Sequence, residues 1–241
     1  MSRAAAFANA VVIGASGGIG QALVEALLAD GTATVHGLSR SGTAVASARA
    51  GPVDIRDEES VAAAAERVRE SGPVDLVIVA TGLLHDGRIS PEKTYRGLSA
   101  DALANYFAVN AIGPALVAKH FLPLLPRDRR AVFACLSARV GSIGDNRLGG
   151  WYGYRASKAA LNMLIRTWSI EVARTRPQAI CVGLHPGTVD TGLSAPFQAG
   201  VPPEKLFSPA FSARCLLDVA ARLTPEQTGG CYAWDGERIV P

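Results

Sequence analysis

The sequence predicts a doubly wound α/β domain: a mostly parallel sheet of about seven strands with helices on both faces. Three observations predict it. Short apolar runs alternate with helix-like segments along all 241 residues, a length that fits one α/β domain with a full core. The run VDLVIVA over residues 74–80 is apolar almost throughout, as in a strand buried on both faces. A glycine-rich turn, GASGGIG over 14–20, stands between the first apolar run and the first helical stretch.

The elements follow in order. The first strand is expected over 10–14, where Ala10, Val11, Val12 and Ile13 run into Gly14. The glycine turn leads to a helix over 21–29, then to a second strand over 33–39. A short third strand over 53–55 precedes a helix over 58–71, and the fourth strand is 74–80. A long helix over 98–125 is stopped by Pro126, with Gly113-Pro114 inside it as the expected kink. The fifth strand covers 131–137 and a second long helix 152–174. The sixth strand, 179–185, ends at Pro186-Gly187, and a helix over 208–223 and a strand over 231–234 follow. No internal repeat, low-complexity tract or linker interrupts this alternation, so one domain over 1–241 is expected.

Composition limits the function. Hydrophobic residues are 49% and charged residues 19%, which suits a globular protein with a buried sheet. The net charge of +3 is spread out; the one dense basic cluster, Arg127, Arg129 and Arg130, is broken by Asp128. It reads as a solvated connection, so no nucleic-acid surface is expected. Four cysteines lie far apart, with Cys135 and Cys181 inside strand-like runs. Buried free thiols favour a reducing cytoplasm. No CxxC occurs and the four histidines lack ligand spacing, so no metal is expected. Arg3 followed by Ala4-Ala5-Ala6-Phe7-Ala8 faintly resembles a secretory signal, but cleavage there would damage the glycine turn. No uninterrupted apolar stretch approaches the ~20 residues of a membrane span.

Chemistry-bearing residues fall at the strand ends. They are the glycine turn, Ser39-Arg40, Asp54, Thr81-Gly82, Ser137 and Pro186-Gly187. Open α/β sheets bind ligands there. In the turn, Gly14, Ser16, Gly17, Gly18, Ile19 and Gly20 would let backbone N–H groups and the positive helix end hold a pyrophosphate. The spacing GxxxGxG departs from the common GxGxxG, and a glycine-rich turn in any doubly wound fold is the alternative. Agreement across six strand ends favours a dinucleotide. No acid occurs between Asp30 and Asp54 to hold a ribose 2′-hydroxyl, whereas Arg40 could hold a 2′-phosphate. NADP(H) is therefore favoured, with NAD(H) as the alternative. Arg40 could equally be a solvated loop residue. Asp54-Ile55 either faces the adenine or Asp54 only caps the following turn.

Tyr154 and Lys158 stand four apart at the start of a long helix, in GYRASKAALN, and so share one face. A nearby ammonium favours the phenolate, and a phenol so tuned moves protons to and from a carbonyl oxygen near neutral pH. Such a pair suits hydride transfer. On spacing alone a surface pair is the commoner case.

The glycine turn, Asn110 in FAVNAIG, Tyr154-x-x-x-Lys158 and HPGTVDT over 185–191 occur in the order of the short-chain dehydrogenase/reductase family. The chain resembles that family over essentially its whole length. The runs LSARVGSIGDN and GGCYAWDG resemble its C-factor/sniffer-type branch most. The resemblance implies a Rossmann-type, NAD(P)(H)-dependent carbonyl reductase or alcohol dehydrogenase acting on a small or medium carbonyl or alcohol. It implies Tyr154 as acid/base, and Lys158 as ribose ligand and tuner of Tyr154. It implies Asn110 holding a relay water, and Ala80, Thr81, Gly82, Pro186, Gly187, Val189 and Thr191 along the cofactor. It also implies a homodimer or homotetramer paired through the helices 98–125 and 152–174. A C-factor-like signalling protein that binds NAD(P)(H) with little turnover is the rival.

Two departures stand out. The family often has NNAG after strand four; here it is Val79-Ala80-Thr81-Gly82. The serine usually second in SSxxG is absent, because Ser137-Ala138-Arg139-Val140-Gly141 has alanine there. Ser142 is the preferred substitute and Ser137 the other, unless both only cap backbone groups. Residues 193–207, rich in proline, glycine and apolar side chains, suit a mobile lid or an ordinary loop. His85-Asp86 is placed near the same pocket by topology alone.

Overall fold

The computed structural model describes residues 6–241; Arg3, Ala4 and Ala5, where the faint signal begins, lie outside them. Strand β1 (Asn9–Ile13), helix α1 (Gly18–Ala29) and strand β2 (Thr34–Ser39) form the first unit. Strand β3 (Arg49–Pro52), helix α2 (Glu58–Arg69) and strand β4 (Leu76–Val79) form the second. Helices α3 (Ala100–Phe107) and α4 (Gly113–Phe121) lead to β5 (Ala131–Leu136), α5 (Tyr152–Val172) and β6 (Ala179–His185). A two-stranded ribbon of β7 (Thr188–Val189) and β8 (Leu206–Phe207) brackets the segment before α6 (Pro209–Arg222). Strands β9 (Cys231–Ala233) and β10 (Arg238–Ile239) come last.

The central sheet runs β10-β9-β6-β5-β4-β1-β2-β3, parallel except for the terminal β10. It therefore has eight strands where about seven are expected, the extra one being a two-residue edge too short to show periodicity. Side chains alternate across it, as strand geometry requires. Ala10, Val12, Leu76, Ile78 and Ala134 face one core with α1 and α6. Val11, Ile13, Val77, Val79, Phe133 and Cys135 face a second core with α2, α4 and α5. Both faces are covered, which is why VDLVIVA shows no polar alternation.

Chain order reverses between β1 and β4: β1 pairs with β2 on one side and with β4 on the other. The crevice beyond these strand ends is where ligands bind in such sheets.

The third strand lies a few residues earlier than expected. β3 is Arg-Ala-Gly-Pro over Arg49–Pro52, an edge strand pairing only with β2. An edge tolerates Pro52, which has no N–H to donate. The apolar Val53 and Ile55 are buried beyond the strand, where the chain has already turned.

The long helix is continuous over Ala100–Leu124 but not uniform. One π turn, Ala108–Ile112, interrupts it directly before Gly113-Pro114. Pro114 has no N–H for the carbonyl four residues back, and the Gly113 N–H reaches the Ala108 carbonyl instead. The helix is long and apolar enough to cross a membrane by length and composition. Val117, Ala118 and Phe121, on one side of it, pack in the second core.

Candidate active site

The glycine turn folds as a cradle. Gly14 sits at φ +92°, a left-handed conformation that favours glycine. A Cβ on Gly14 would stand 3.0 Å from the Ala80 carbonyl carbon, so β1 and β4 approach too closely for a side chain. A Cβ on Gly20 would lie 2.1 Å from the Gly14 oxygen, which fixes the helix start against the turn. Helix α1 begins at Gly18 with no side-chain cap and no acid in its first turn. Its free N–H groups and positive end face the crevice and are suited to an anion.

Two adjoining cavities share Gly17, Ala80, Thr81 and Gly82. One, of about 340 Å³, is lined by Gly14, Ser16, Ser39, Arg40, Asp54, Ile55 and Arg56. The other, of about 300 Å³, is lined by Gly18, Ile19, Gly20, Ser137, Tyr154, Lys158, Pro186 and Thr191. Together they form a trough across the switch point, with the glycine turn at its middle. The fit to a dinucleotide is direct: a cradle without side chains for a pyrophosphate, and a cavity on either side for two nucleoside ends. A buried Thr81 hydroxyl on the shared wall, without a partner among the described residues, agrees with it.

At the first end, the Asp54 carboxylate accepts the Arg56 N–H, the turn-capping alternative raised above, while Asp54 still lines the cavity. Ile55 is buried against Gly113, where a Cβ would lie 2.6 Å from Ile55 Cδ1. Arg56 was not foreseen, and it lines the same cavity as Arg40.

At the second end, Tyr154 and Lys158 lie in the first two turns of α5, both buried. Lys158 Nζ donates to the Leu136 carbonyl at 2.8 Å and stands 5.8 Å from the Tyr154 ring centroid. Burial pulls Lys158 down to about 8. Burial, and then Tyr106, push the Tyr154 phenol up from its ordinary value. The phenol is thus shifted up and not down, because desolvation penalises the phenolate.

Asn110 is fully buried in the π turn. Its Oδ1 accepts the Leu83 N–H at 2.7 Å, and its Nδ2 donates to the Leu83 carbonyl at 2.8 Å and to Ser157 Oγ at 3.1 Å. It ties the loop after β4 to α5. A Cβ on Gly82 would lie 3.7 Å from Lys158 Nζ and 3.8 Å from Asn110 Oδ1, so all three border one space.

The two serines part company. Ser137 lines the cavity, but its hydroxyl donates to Asn162 Oδ1 at 2.6 Å. Strand alternation puts it on the α5 side with Cys135. Ser142, the preferred candidate, is not among the residues lining either cavity; its hydroxyl donates to the Pro241 carbonyl and accepts the Asp145 N–H. Ala138 packs with Leu84, Tyr106 and Tyr154. Pro186 and Thr191 line the cavity that holds Tyr154 and Lys158, whereas Gly187 at φ +78° packs under Phe207 and Val189 lies in the β7–β8 ribbon. His85 reaches the Gly192 carbonyl at 3.1 Å and packs edge-on against Phe197, 5.6 Å between ring centroids. Phe197 in turn meets Trp151, and Trp151 meets Tyr154. The segment 193–207 therefore rests on the aromatic surround of Tyr154. Tyr106, Trp151 and Glu92 belong to this surround and were not foreseen. The double glycine Gly149-Gly150 was the one local signal of an unusual turn there.

A parallel sheet with a glycine cradle at its switch point, and a buried tyrosine–lysine pair beside it, define an NAD(P)-dependent oxidoreductase. Residues 8–201 match the short chain dehydrogenase family, and the chain belongs to it. A curated relative, C-signal of Myxococcus xanthus, is 34% identical over 170 residues, covering 70% of this chain and 93% of that protein. The NADPH-bound carbonyl reductase from chicken fatty liver superposes with a TM-score of 0.83 at 26% identity, covering 97% of this chain and 99% of that one. Carbonyl reductase Sniffer of D. melanogaster superposes with a TM-score of 0.84 at 21% identity, over 97% and 99% of the two chains. The C-signal relative agrees with the C-factor side of the resemblance read from the motifs, and the Sniffer likeness shows the shared fold.

Proposed function

We propose that the protein is an NADP(H)-preferring carbonyl reductase in which Tyr154 is the general acid/base. The observation that carries this reading is the convergence of Tyr154, Lys158 and Gly82 on the cavity next to the glycine cradle, with the Asn110 amide behind Gly82. A bound nicotinamide supplies the hydride to the carbonyl carbon, or accepts it in reverse. Tyr154 Oη gives its proton to the carbonyl oxygen; its raised pKa keeps that proton in place until charge develops. Lys158, anchored to Leu136, offers its remaining N–H donors to the ribose. Asn110 orients the Leu83 backbone and Ser157 around the same space. At the other end Arg40, and no carboxylate between Asp30 and Asp54, supports the 2′-phosphate. The 26% identical carbonyl reductase from chicken is described as NADPH-bound, which supports the same preference.

The reading extends to a cytoplasmic protein with a small-molecule substrate and no nucleic-acid or membrane partner. It also includes a homodimer or homotetramer. Exposed Ile112, in the π turn before α4, and Met163 and Ile170 on α5 support pairing through the two long helices. A signalling protein with little turnover remains the second reading. It is favoured by one observation: Ala138 stands beside Tyr154, and the Ser137 hydroxyl is donated elsewhere. NADPH oxidation against a panel of aldehydes, ketones and quinones decides between them. Reductase activity that Tyr154→Phe lowers by about 10²–10⁴-fold, with cofactor affinity within a few-fold, supports the enzyme. Turnover unchanged in Tyr154→Phe refutes the role of Tyr154, and no turnover with any acceptor supports the signalling reading.

A further inference from the structure

We propose that Glu92 is a positioning residue for Tyr154, capping the N-terminus of α5 from outside that helix. Helix α5 has no cap of its own. Its N-cap residue is Trp151 in a left-handed conformation, φ 53° and ψ 42°, without a side-chain cap bond, and its first turn contains no acid. Helix starts leave backbone N–H groups without partners. Here Tyr154 sits in that first turn, so a frayed start would displace it.

Glu92, on the loop before α3, supplies what is missing. Its Oε2 accepts the Gly153 N–H at 3.1 Å, and its backbone carbonyl accepts the Trp151 N–H at 2.6 Å. The residue is only 6% exposed. Among the described residues its Oε1 has no hydrogen-bond partner, and no cation lies within ion-pair distance of the carboxylate. A buried carboxylate without a counter-ion is costly, and the positive end of a helix is the group here that offsets it.

The packing leaves the cap one position. A Cβ on Gly153 would lie 2.4 Å from Tyr106 Cδ2 and 3.0 Å from Glu92 Oε1. The Tyr106 hydroxyl is fixed to the Leu84 carbonyl, and its ring meets Tyr154 edge-on at 6.4 Å between centroids. Burial, and then the Glu92 charge, push the Tyr106 phenol up to about 12, so it stays neutral beside the acting tyrosine. Glu92 reaches neither cavity; it acts through Gly153 on the placement of Tyr154.

The inference rests on the reductase reading of Tyr154. The test compares Glu92→Gln, which keeps an acceptor, with Glu92→Ala, which removes it. Three quantities are read: amide hydrogen exchange at Gly153 and Tyr154, kcat, and the NADPH dissociation constant by cofactor fluorescence. Glu92→Ala is expected to speed exchange there about tenfold and to lower kcat about tenfold, with NADPH affinity within threefold, because a helix cap contributes ~1 kcal/mol and small misplacements cost rate. Glu92→Gln is expected to keep kcat within about threefold. If Glu92→Ala does not fold, Glu92→Asp replaces it: the arm is one methylene too short for Gly153, and the same split is expected. Unchanged exchange, equal loss in Gln and Ala, or parallel loss of kcat and NADPH affinity would overturn the proposal. If the unaltered protein reduces no carbonyl, the reductase reading fails on that result alone, and the exchange comparison still decides whether Glu92 caps α5.

Discussion

Removing the Asn110 side chain should cost stability whatever becomes of catalysis. The residue is fully buried and its amide makes three hydrogen bonds, two to Leu83 and one to Ser157. Asn110→Ala deletes all three and leaves the Leu83 N–H and carbonyl and the Ser157 hydroxyl facing a small void. A net hydrogen bond contributes about 1 kcal/mol, and a buried group left unpaired costs about 1–3 kcal/mol. Ser157 keeps its bond to the Tyr154 carbonyl, and Leu83 lies at the cavity wall where water reaches it, so the lower end applies to each. The sum is about 3–5 kcal/mol. For a chain of this length 1 kcal/mol moves Tm by about 2–4 °C, so the variant should melt about 6–20 °C lower. Thermal unfolding followed by circular dichroism measures it. A fall under about 2 °C would refute the reasoning, since it would mean that the π-turn amide is not the tie between the β4 loop and α5.

Three further outcomes follow from the same geometry. Arg40→Ala should weaken NADPH more than NADH by roughly tenfold or more, as loss of a charge-assisted phosphate contact implies; equal loss in titrations with both cofactors would refute the 2′-phosphate role. Lys158, lowered to about 8 by burial, binds fewer protons folded than unfolded, so its burden on stability is full at pH 7 and fades as pH rises from about 8 towards its ordinary 10.5. Lys158→Met should therefore stabilise the fold at pH 7 by about 2 kcal/mol after the lost Leu136 bond, with the gain shrinking by pH 9.5 in urea titrations, while cofactor binding weakens. Light scattering at micromolar concentration should give two or four times the 25.1 kDa chain mass, and the single-chain mass would reject pairing through α4 and α5.

What could be read from the chain depended on the range of the signal. The β–α alternation, the glycine turn and the Tyr154–Lys158 spacing are local patterns, so the doubly wound sheet and its switch-point cleft followed from them. β3 was placed late because Arg49–Pro52 carries no apolar run; it is a strand only because β2 offers it an edge. The long helix was read whole, but the π turn that buries Asn110 depends on how Pro114 is accommodated.

Sequence alone determined the fold class and the residues that could bind a dinucleotide and move a proton, because periodicity, turn chemistry and motif order are written within a few residues of one another. Only the tertiary structure decided which hydroxyls and charges those residues meet. It turned Ser137 towards Asn162 and Ser142 towards the Pro241 carbonyl, set Arg56 in one cavity with Arg40, and brought Glu92 sixty residues along the chain to Gly153. It also buried Tyr154 and Lys158, which raises the proton affinity of the phenol and lowers that of the ammonium. Desolvation and long-range contacts depend on what the folded chain packs around a group, and no local pattern encodes that.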